Sequence, residues 1–274
     1  MKFLDMILKN KKTDKFVNKK HLERIIAITN QKGGVGKSTT AVNVSAYLSS
    51  YGYRTLLIDL DPQSNSTSGL GKNPMDVKQS IYDILINDRE PDEIILDTSY
   101  KNLRLLPSSV QLAGAEVELV LSLKREFRLK EAVSKIEKNY DFILIDCPPS
   151  LGLLTINALT AAKEVIIPIQ CEYYALEGLG QLLSTISLVK KNLNDELKIK
   201  GAIMTMYDPR IKLAGQVIEE VRNYFSEKVY KTIIPRNVRL SEAPSYGKPI
   251  MEYDPDCKGA EAYSNFTKEV IDNG

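Results

Sequence analysis

The residues best suited to chemistry lie in a glycine-rich segment with two lysines, residues 32–38, of sequence KGGVGKS. Its glycines let successive backbone N–H groups turn onto phosphate oxygens, and a following helix N-terminus adds partial positive charge. The common phosphate-loop pattern GxxxxGK[ST] needs glycine where this chain has Gln31. The match is instead to a variant pattern, KGGxGK[ST], with Lys32 as its extra lysine. We expect Lys37 at the β- and γ-phosphates and Ser38 at Mg²⁺.

The sequence around this segment supports a phosphate loop. Residues 25–28 are apolar and predict a short buried strand, and residues 39–49 predict a helix. The alternative is a glycine-rich turn that happens to contain lysines. The order strand, loop, helix favours the phosphate loop, because that is the context the motif requires.

Two further apolar runs end in aspartates. Residues 55–60 contain Asp59 near their end and are followed by Asp61. Residues 142–145 are followed by Asp146. Ligands in open α/β sheets bind at the carboxyl ends of strands, and an aspartate closing an apolar run is the Walker B arrangement for Mg²⁺. We assign that role to Asp146. For Asp59 alone, a helix cap or turn residue is the favoured interpretation.

Asp61 begins a polar turn. Residues 62–69 read PQSNSTSG, which is typical of a mobile switch that senses a γ-phosphate. Placed beside a phosphate loop, the Asp61 carboxylate is predicted to orient an attacking water molecule and to lie near the metal.

The composition limits the other possibilities. The chain has 274 residues, 43% of them hydrophobic, with no apolar run of about 18 residues and no signal peptide, so we expect a cytoplasmic protein with one large core. Cys147, Cys171 and Cys257 form no CxxC pair and are predicted to be buried free thiols. His21, the only histidine, lies ahead of the first core strand, which argues against histidine triads and histidine metal sites.

The N-terminal segment differs from the rest of the chain. Residues 1–24 carry eight Lys and Arg against three Asp and Glu, whereas the net charge of the whole chain is only +2. We predict that residues 1–22 form a basic tail, either disordered and solvated or in weak contact with DNA or a membrane. Residues 23–274 are predicted to form one domain.

Strand patterns alternate with helical patterns along that domain. This alternation predicts an α/β fold, a doubly wound and mostly parallel sheet with helices on both faces. Predicted strands are residues 25–28, 55–60, 103–106, 142–145, 165–169, 199–204 and 232–234. Predicted helices are residues 39–49, 80–86, 113–121, 130–138, 153–162, 176–191, 216–225 and 260–272.

Five blocks of the sequence, in order, resemble the ParA/Soj family of partition ATPases, within the MinD-like deviant Walker A group of P-loop NTPases. The blocks are residues 27–31, 59–63, 146–152, 170–178 and 235–244. The resemblance runs from Arg24 to the C-terminus. It implies an ATP-bound sandwich dimer in which Lys32 reaches the partner subunit's phosphates and Asp61 serves hydrolysis rather than binding.

The resemblance also places the nucleotide. Pro235 and Asn237 correspond to a segment that contacts adenine, and residues 206–208 line the same end. The residues expected at ATP are Lys32, Gly33, Gly34, Val35, Gly36, Lys37, Ser38, Thr39, Met206, Asp208, Pro235 and Asn237. Those expected at Mg²⁺ are Ser38, Asp61 and Asp146.

Soj-like proteins bind DNA non-specifically through basic residues late in the chain. Residues 210–248 hold eight Lys and Arg against four Glu, a basic stretch suited to phosphate contacts. The charge count alone favours an ordinary solvated surface, and the positions of Arg210 and Arg239, which match the family's DNA-binding residues, reverse that preference. The expected contacts are Arg210 and Arg239, with Lys231, Arg236 and Lys248 as further candidates. The implied partners are a second copy of the chain, a ParB/Spo0J-type centromere-binding protein and DnaA, with the protein on the nucleoid and without stable membrane association.

Three other functions stay open. A MinD-type membrane-cycling ATPase needs a basic amphipathic helix beyond the core, whereas the last helical pattern here has Tyr263, Phe266 and Val270 at core spacing. A nitrogenase-reductase-like iron–sulfur protein needs two cluster cysteines per subunit, which Cys147 matches poorly. A non-catalytic nucleotide switch is disfavoured by intact Lys37, Ser38, Asp61 and Asp146.

Overall fold

The computed structural model describes residues 24–137, 139–172, 178–226 and 228–272. Within these ranges, eight strands form one sheet in the order β3-β4-β2-β5-β1-β6-β7-β8, and only the β3–β4 pair is antiparallel. The strands are β1 Arg24–Ile28, β2 Thr55–Asp59, β3 Leu96–Asp97, β4 Leu103–Leu106, β5 Phe142–Asp146, β6 Glu164–Gln170, β7 Lys198–Tyr207 and β8 Val229–Pro235.

Helices connect the strands and cover both faces of the sheet. They are α1 Lys37–Ser50, α2 Asn65–Gly69, α3 Ile81–Asn87, α4 Pro91–Ile94, α5 Leu112–Leu119, α6 Arg128–Ser134, α7 Leu153–Ala161, α8 Leu179–Asn192, α9 Lys212–Phe225, α10 Val238–Glu242, α11 Ile250–Tyr253 and α12 Lys258–Asp272. Short 3-10 turns occur at Pro74–Asp76 and Ala243–Tyr246.

The central strands are buried on both faces, which explains their continuous apolar sequences. In β1, β2 and β5 every residue is buried. Alternate residues point to two cores. Ile25 belongs to a core that includes residues of α3 and α5 to α9, and Ile26 to a second core that includes residues of α1 and α12. The sheet is therefore doubly wound.

The topology determines where the polar strand ends meet. β1 lies between β5 and β6, so the chain leaves the centre of the sheet in both directions, and crevices open at the carboxyl ends there. In the strand register Asp146 is paired with Ile28 on one side and with Asp59 on the other. Two aspartates on adjacent strands thus lie at the same level, beside the loop that follows β1.

The predicted fold class and all seven predicted strands are confirmed. The predicted core face of the last helix is also confirmed, because Tyr263, Phe266 and Val270 are buried in α12. The two-residue strand β3 was missed, because so short an edge strand leaves no alternating pattern. Several predicted helix limits were wrong, most clearly residues 216–225, since α9 begins at Lys212.

Two other expectations concern cysteines and membranes. All three cysteines are free, but only Cys147 and Cys171 are buried, and Cys257 is half-buried. Within the described ranges, no helix is both long enough and apolar enough to cross a bilayer. The predicted tail, residues 1–22, lies outside the described residues.

Candidate functional site

The loop between β1 and α1 has the backbone shape that its glycines allow. Gly34 and Gly36 adopt φ angles of 75° and 91°, in the left-handed region that disfavours side chains. Val35, between them, is buried at 1% exposure, and its carbonyl accepts a 2.8 Å hydrogen bond from the Thr205 hydroxyl at the end of β7. The loop is therefore anchored to the sheet while its glycines line an open cavity.

Lys37 begins α1 and points back into the loop. The side chain is buried, and its ammonium donates to the Lys32 carbonyl at 3.1 Å. Burial lowers the pKa of Lys37, and the nearby carboxylates of Asp146 and Asp61 oppose that shift. A buried cation held by a single carbonyl has spare donors for an anionic ligand in the loop.

Asp59 and Asp146 form a pair of fully buried carboxyl groups. Asp146 accepts a 2.7 Å hydrogen bond from the Ser66 hydroxyl through Oδ2. Its other oxygen, Oδ1, is buried and has no hydrogen-bond partner among the described residues. Burial raises the pKa of both carboxyls, and the Asp146 charge raises that of Asp59 further.

This donor set fits Mg²⁺ bound together with phosphates. An unpartnered buried carboxylate oxygen is costly unless a ligand satisfies it. Ser38 lies next to Lys37 at the start of α1 and lines the same cavity as Asp61. No cluster of three or more His, Cys, Asp or Glu able to hold a metal by themselves occurs in the described ranges. Mg²⁺ characteristically takes one or two carboxylates and relies on phosphates and water for the rest.

Asp61 lies two residues beyond β2, followed by α2 where the sequence suggested a mobile run. Its carboxylate accepts from the backbone N–H of Gln63 at 2.9 Å, and burial raises its pKa. Within α2, Ser66 and Thr67 are fully buried. In the structure the second part of this polar run forms a short packed helix, in which the Ser66 and Thr67 hydroxyls bond to the strand-end aspartates.

A cavity of about 350 Å³, which we call the loop cavity, joins these groups. Neither Lys32 nor Val35 is among its lining residues, unlike the other loop residues expected at ATP. Its lining residues are Gly33, Gly34, Gly36, Lys37, Ser38, Thr39, Val42, Asn43, Asp61, Gln63, Asn65, Gly69, Pro149, Met206, Ala243, Pro244 and Lys248.

A second cavity of about 260 Å³, the β8 cavity, adjoins the first and shares Gly36, Thr39, Met206 and Pro244 with it. Pro235 and Asn237, which the resemblance assigned to adenine contact, line it. Asp208 does not. Its carboxylate instead binds Arg210 through two hydrogen bonds of 2.9 and 2.6 Å, which hold the pKa of Asp208 at about 2.

Lys32 lies outside the loop cavity. Its ammonium is 3.7 Å from the Glu172 carboxylate, which also accepts from Arg236 at 3.3 Å. The Lys32 side chain is 33% exposed, so it is partly accessible to solvent.

The five expected DNA contacts do not form one uniform basic surface. Arg210 is 86% exposed, and Arg239 is paired with Glu242 at 3.0 Å and Asp254 at 3.2 Å. Arg236 lines the β8 cavity and Lys248 the loop cavity, where Lys248 pairs with Glu252 at 2.8 Å. Lys231 is exposed on β8.

Several residues of the site were missed from the sequence. Ser66, Thr67 and Ser108 bond to the aspartates or to the Asp61 backbone, and Glu172 holds Lys32. For Ser66 and Thr67, the only signal in the sequence was that they follow the aspartates at the end of β2.

The mostly parallel sheet and the glycine-rich loop after β1 are those of a P-loop nucleoside triphosphatase. An AAA domain family model matches residues 23–199. The chain is 61% identical over 251 residues to the sporulation initiation inhibitor protein Soj of Bacillus subtilis, covering 92% of this chain and 99% of that protein. This chain belongs to the ParA/Soj family of partition proteins.

Solved structures similar to this chain include several with bound nucleotides. A Mycobacterium smegmatis protein described as cobyrinic acid a,c-diamide synthase, with ADP and magnesium, has a TM-score of 0.80 at 40% identity, covering 91% of this chain and 94% of that one. A putative plasmid partition protein from Borrelia burgdorferi, bound to AMPPNP, has a TM-score of 0.79 at 28% identity, covering 92% and 100%.

Proposed function

We propose that this protein is a Mg²⁺-dependent partition ATPase with weak intrinsic activity, in which ATP binding closes a sandwich dimer. The observation that carries the proposal is the loop cavity, where Lys37, Ser38 and Asp61 meet beside the unpartnered oxygen of Asp146. The ATP analogue and magnesium in related structures support the choice of ligands.

Different residues of the chain bind the phosphates, hold the metal and orient the water. Lys37 neutralises the β- and γ-phosphates after leaving the Lys32 carbonyl. Ser38 and Asp146 would hold Mg²⁺, which would neutralise charge developing on the phosphates. Asp61, at the cavity wall, orients the attacking water, and the β8 cavity takes the adenine.

The dimer binds DNA without sequence preference, and a ParB-type partner stimulates hydrolysis, which releases the dimer. Exposed Arg210 and Arg239 support the first step, and membership of the ParA/Soj family supports the second. The protein works on the nucleoid in the cytoplasm, and DnaA is a further partner. The membrane-cycling alternative gains no support from α12, whose apolar face is buried in the core.

Asp61→Ala is expected to bind ATP normally but to hydrolyse it at least about tenfold more slowly, because the variant keeps Lys37 and loses the water-orienting carboxylate. With saturating ATP and Mg²⁺ it should elute as a stable dimer on gel filtration. Asp97→Ala, which removes an aspartate whose side chain is 81% exposed at the sheet edge, is the control. A purely monomeric Asp61→Ala protein would count against the proposed function.

Lys32→Ala is expected to bind ATP with affinity within about threefold of wild type but to fail to dimerise, because its proposed contact lies across the interface. Equilibrium nucleotide titration and gel filtration measure the two properties separately. Lys190→Ala, which removes an exposed lysine from α8, is the control. Equal losses of ATP affinity in Lys32→Ala and Lys37→Ala would show instead that Lys32 acts within its own subunit.

A further inference from the structure

A closed ring of hydrogen bonds lies directly behind Asp61. The Asp59 carboxylate accepts from the Asp61 backbone N–H at 3.2 Å and from the Thr67 N–H and hydroxyl, both at 2.7 Å. The Thr67 hydroxyl in turn accepts from the Ser108 N–H at 3.0 Å. The Ser108 hydroxyl closes the ring by donating to the Asp61 carbonyl at 2.7 Å.

The ring is shielded from water. Asp59, Thr67 and Ser108 are fully buried, and Asp61 is 5% exposed. A buried polar group that loses its partner there has no water to replace it, so the ring is expected to stay closed as one arrangement. Its members other than Asp61 do not line the loop cavity.

Both backbone polar groups of Asp61 belong to this ring. With its N–H held by Asp59 and its C=O held by Ser108, the peptide planes on either side of Asp61 are fixed. The direction in which the Asp61 carboxylate enters the cavity is therefore set from behind. Thr67 joins the three segments that meet here, since its hydroxyl bonds both the end of β2 and the loop after β4.

We propose that Asp59, Thr67 and Ser108 are positioning residues that hold the Asp61 carboxylate where it orients water for hydrolysis. This inference rests on the proposed function. The bond from the Asp61 N–H to Asp59 is a turn contact, and the bonds from the Thr67 N–H and hydroxyl give Asp59 the further role of joining that turn to α2.

Thr67→Val tests whether the ring positions Asp61, because it removes the hydroxyl that bonds both Asp59 and Ser108. Valine keeps the β-branched shape and the backbone N–H bond to Asp59 but removes the hydroxyl. We expect kcat to fall about tenfold or more, with KM and ATP affinity within about twofold, because only the geometry of the water-orienting group changes. Thr67→Ser restores the hydroxyl and is expected to recover kcat to within about threefold.

Thr267→Val is the matched control, since Thr267 is fully buried in α12 and its hydroxyl donates to the Tyr263 carbonyl, away from the site. Thermal unfolding of each variant separates lost stability from lost turnover. Ser108→Ala is a milder second variant that removes only the bond to the Asp61 carbonyl, with a loss of about two- to threefold in kcat expected.

A fall in kcat for Thr67→Val at unchanged KM, with recovery in Thr67→Ser and none of this in Thr267→Val, supports the proposal. Unchanged kcat in both Thr67→Val and Ser108→Ala, an equally defective Thr67→Ser, or loss of ATP affinity together with kcat overturns it. If the wild-type protein binds ATP without hydrolysing it, both the proposed function and this inference are wrong. Normal wild-type turnover with unchanged kcat in both Thr67→Val and Ser108→Ala overturns the inference alone.

Discussion

Lys37→Ala is expected to weaken ATP binding by ~10²–10³-fold. Lys37 is a buried cation beside the loop, so its removal leaves phosphate charge without its main partner. Truncating one member of a buried charged pair costs about 3–5 kcal/mol, and every 1.4 kcal/mol or so is tenfold in affinity. Titration with a fluorescent ATP analogue measures the loss directly.

The control for this prediction is Lys200→Ala. Lys200 is also partly buried, with a pKa lowered by burial, but it lies on β7 and is 3.9 Å from Glu164 rather than in the cavity. Its removal is expected to leave ATP affinity unchanged within about twofold. If Lys37→Ala binds ATP as well as Lys200→Ala does, the loop cavity is not the phosphate site.

The fold was predictable because its central strands are buried on both faces. Such strands have continuous apolar sequences, and in β2 and β5 these runs close in aspartates that mark the carboxyl edge of the sheet. Helix limits were less predictable. α9 begins at Lys212, four residues before its predicted start, because packing rather than a cap residue sets that end. Helices of four or five residues, such as α2 and α10, are too short to show a helical period.

The loop and the strand-end aspartates could be found because their chemistry is local in sequence. The ring behind Asp61 could not, because it joins residues 59–61, Thr67 and Ser108 from three segments. A serine- and threonine-rich run also looks the same whether its hydroxyls face solvent or bond to buried carboxylates. The site therefore contains more positioning residues than the motif shows.

Charge counting from the sequence had a related limit. It found the basic residues of 210–248 but not the acidic partners that neutralise them. Arg210 is bound to Asp208, and Arg239 to Glu242 and Asp254. Surface ion pairs of this kind contribute little to stability, so we expect DNA phosphates to displace the carboxylates without large cost.

The double variant Arg210→Ala, Arg239→Ala is expected to weaken DNA binding by ~10²-fold at moderate salt, with ATP binding and dimerisation unchanged. In a dimer these changes remove four phosphate contacts, two from each subunit. Each lost contact lowers the slope of log affinity against log salt by about 0.9. Band shifts on two unrelated duplexes, with ATP and with ADP, between about 50 and 200 mM salt measure affinity, slope and sequence preference.

Two further variants show whether the charges act as proposed. Arg89→Ala removes an exposed arginine far along the chain from these residues and is expected to change neither affinity nor slope. Asp208→Asn releases Arg210 from its carboxylate and is expected to strengthen DNA binding by about two- to fivefold, because Arg210 no longer has to leave an ion pair to contact a phosphate. If Asp208→Asn weakens ATP binding instead, Asp208 contacts the nucleotide. If the wild-type protein in ATP binds neither duplex but sediments with anionic vesicles, the membrane-cycling alternative replaces the DNA-partition function.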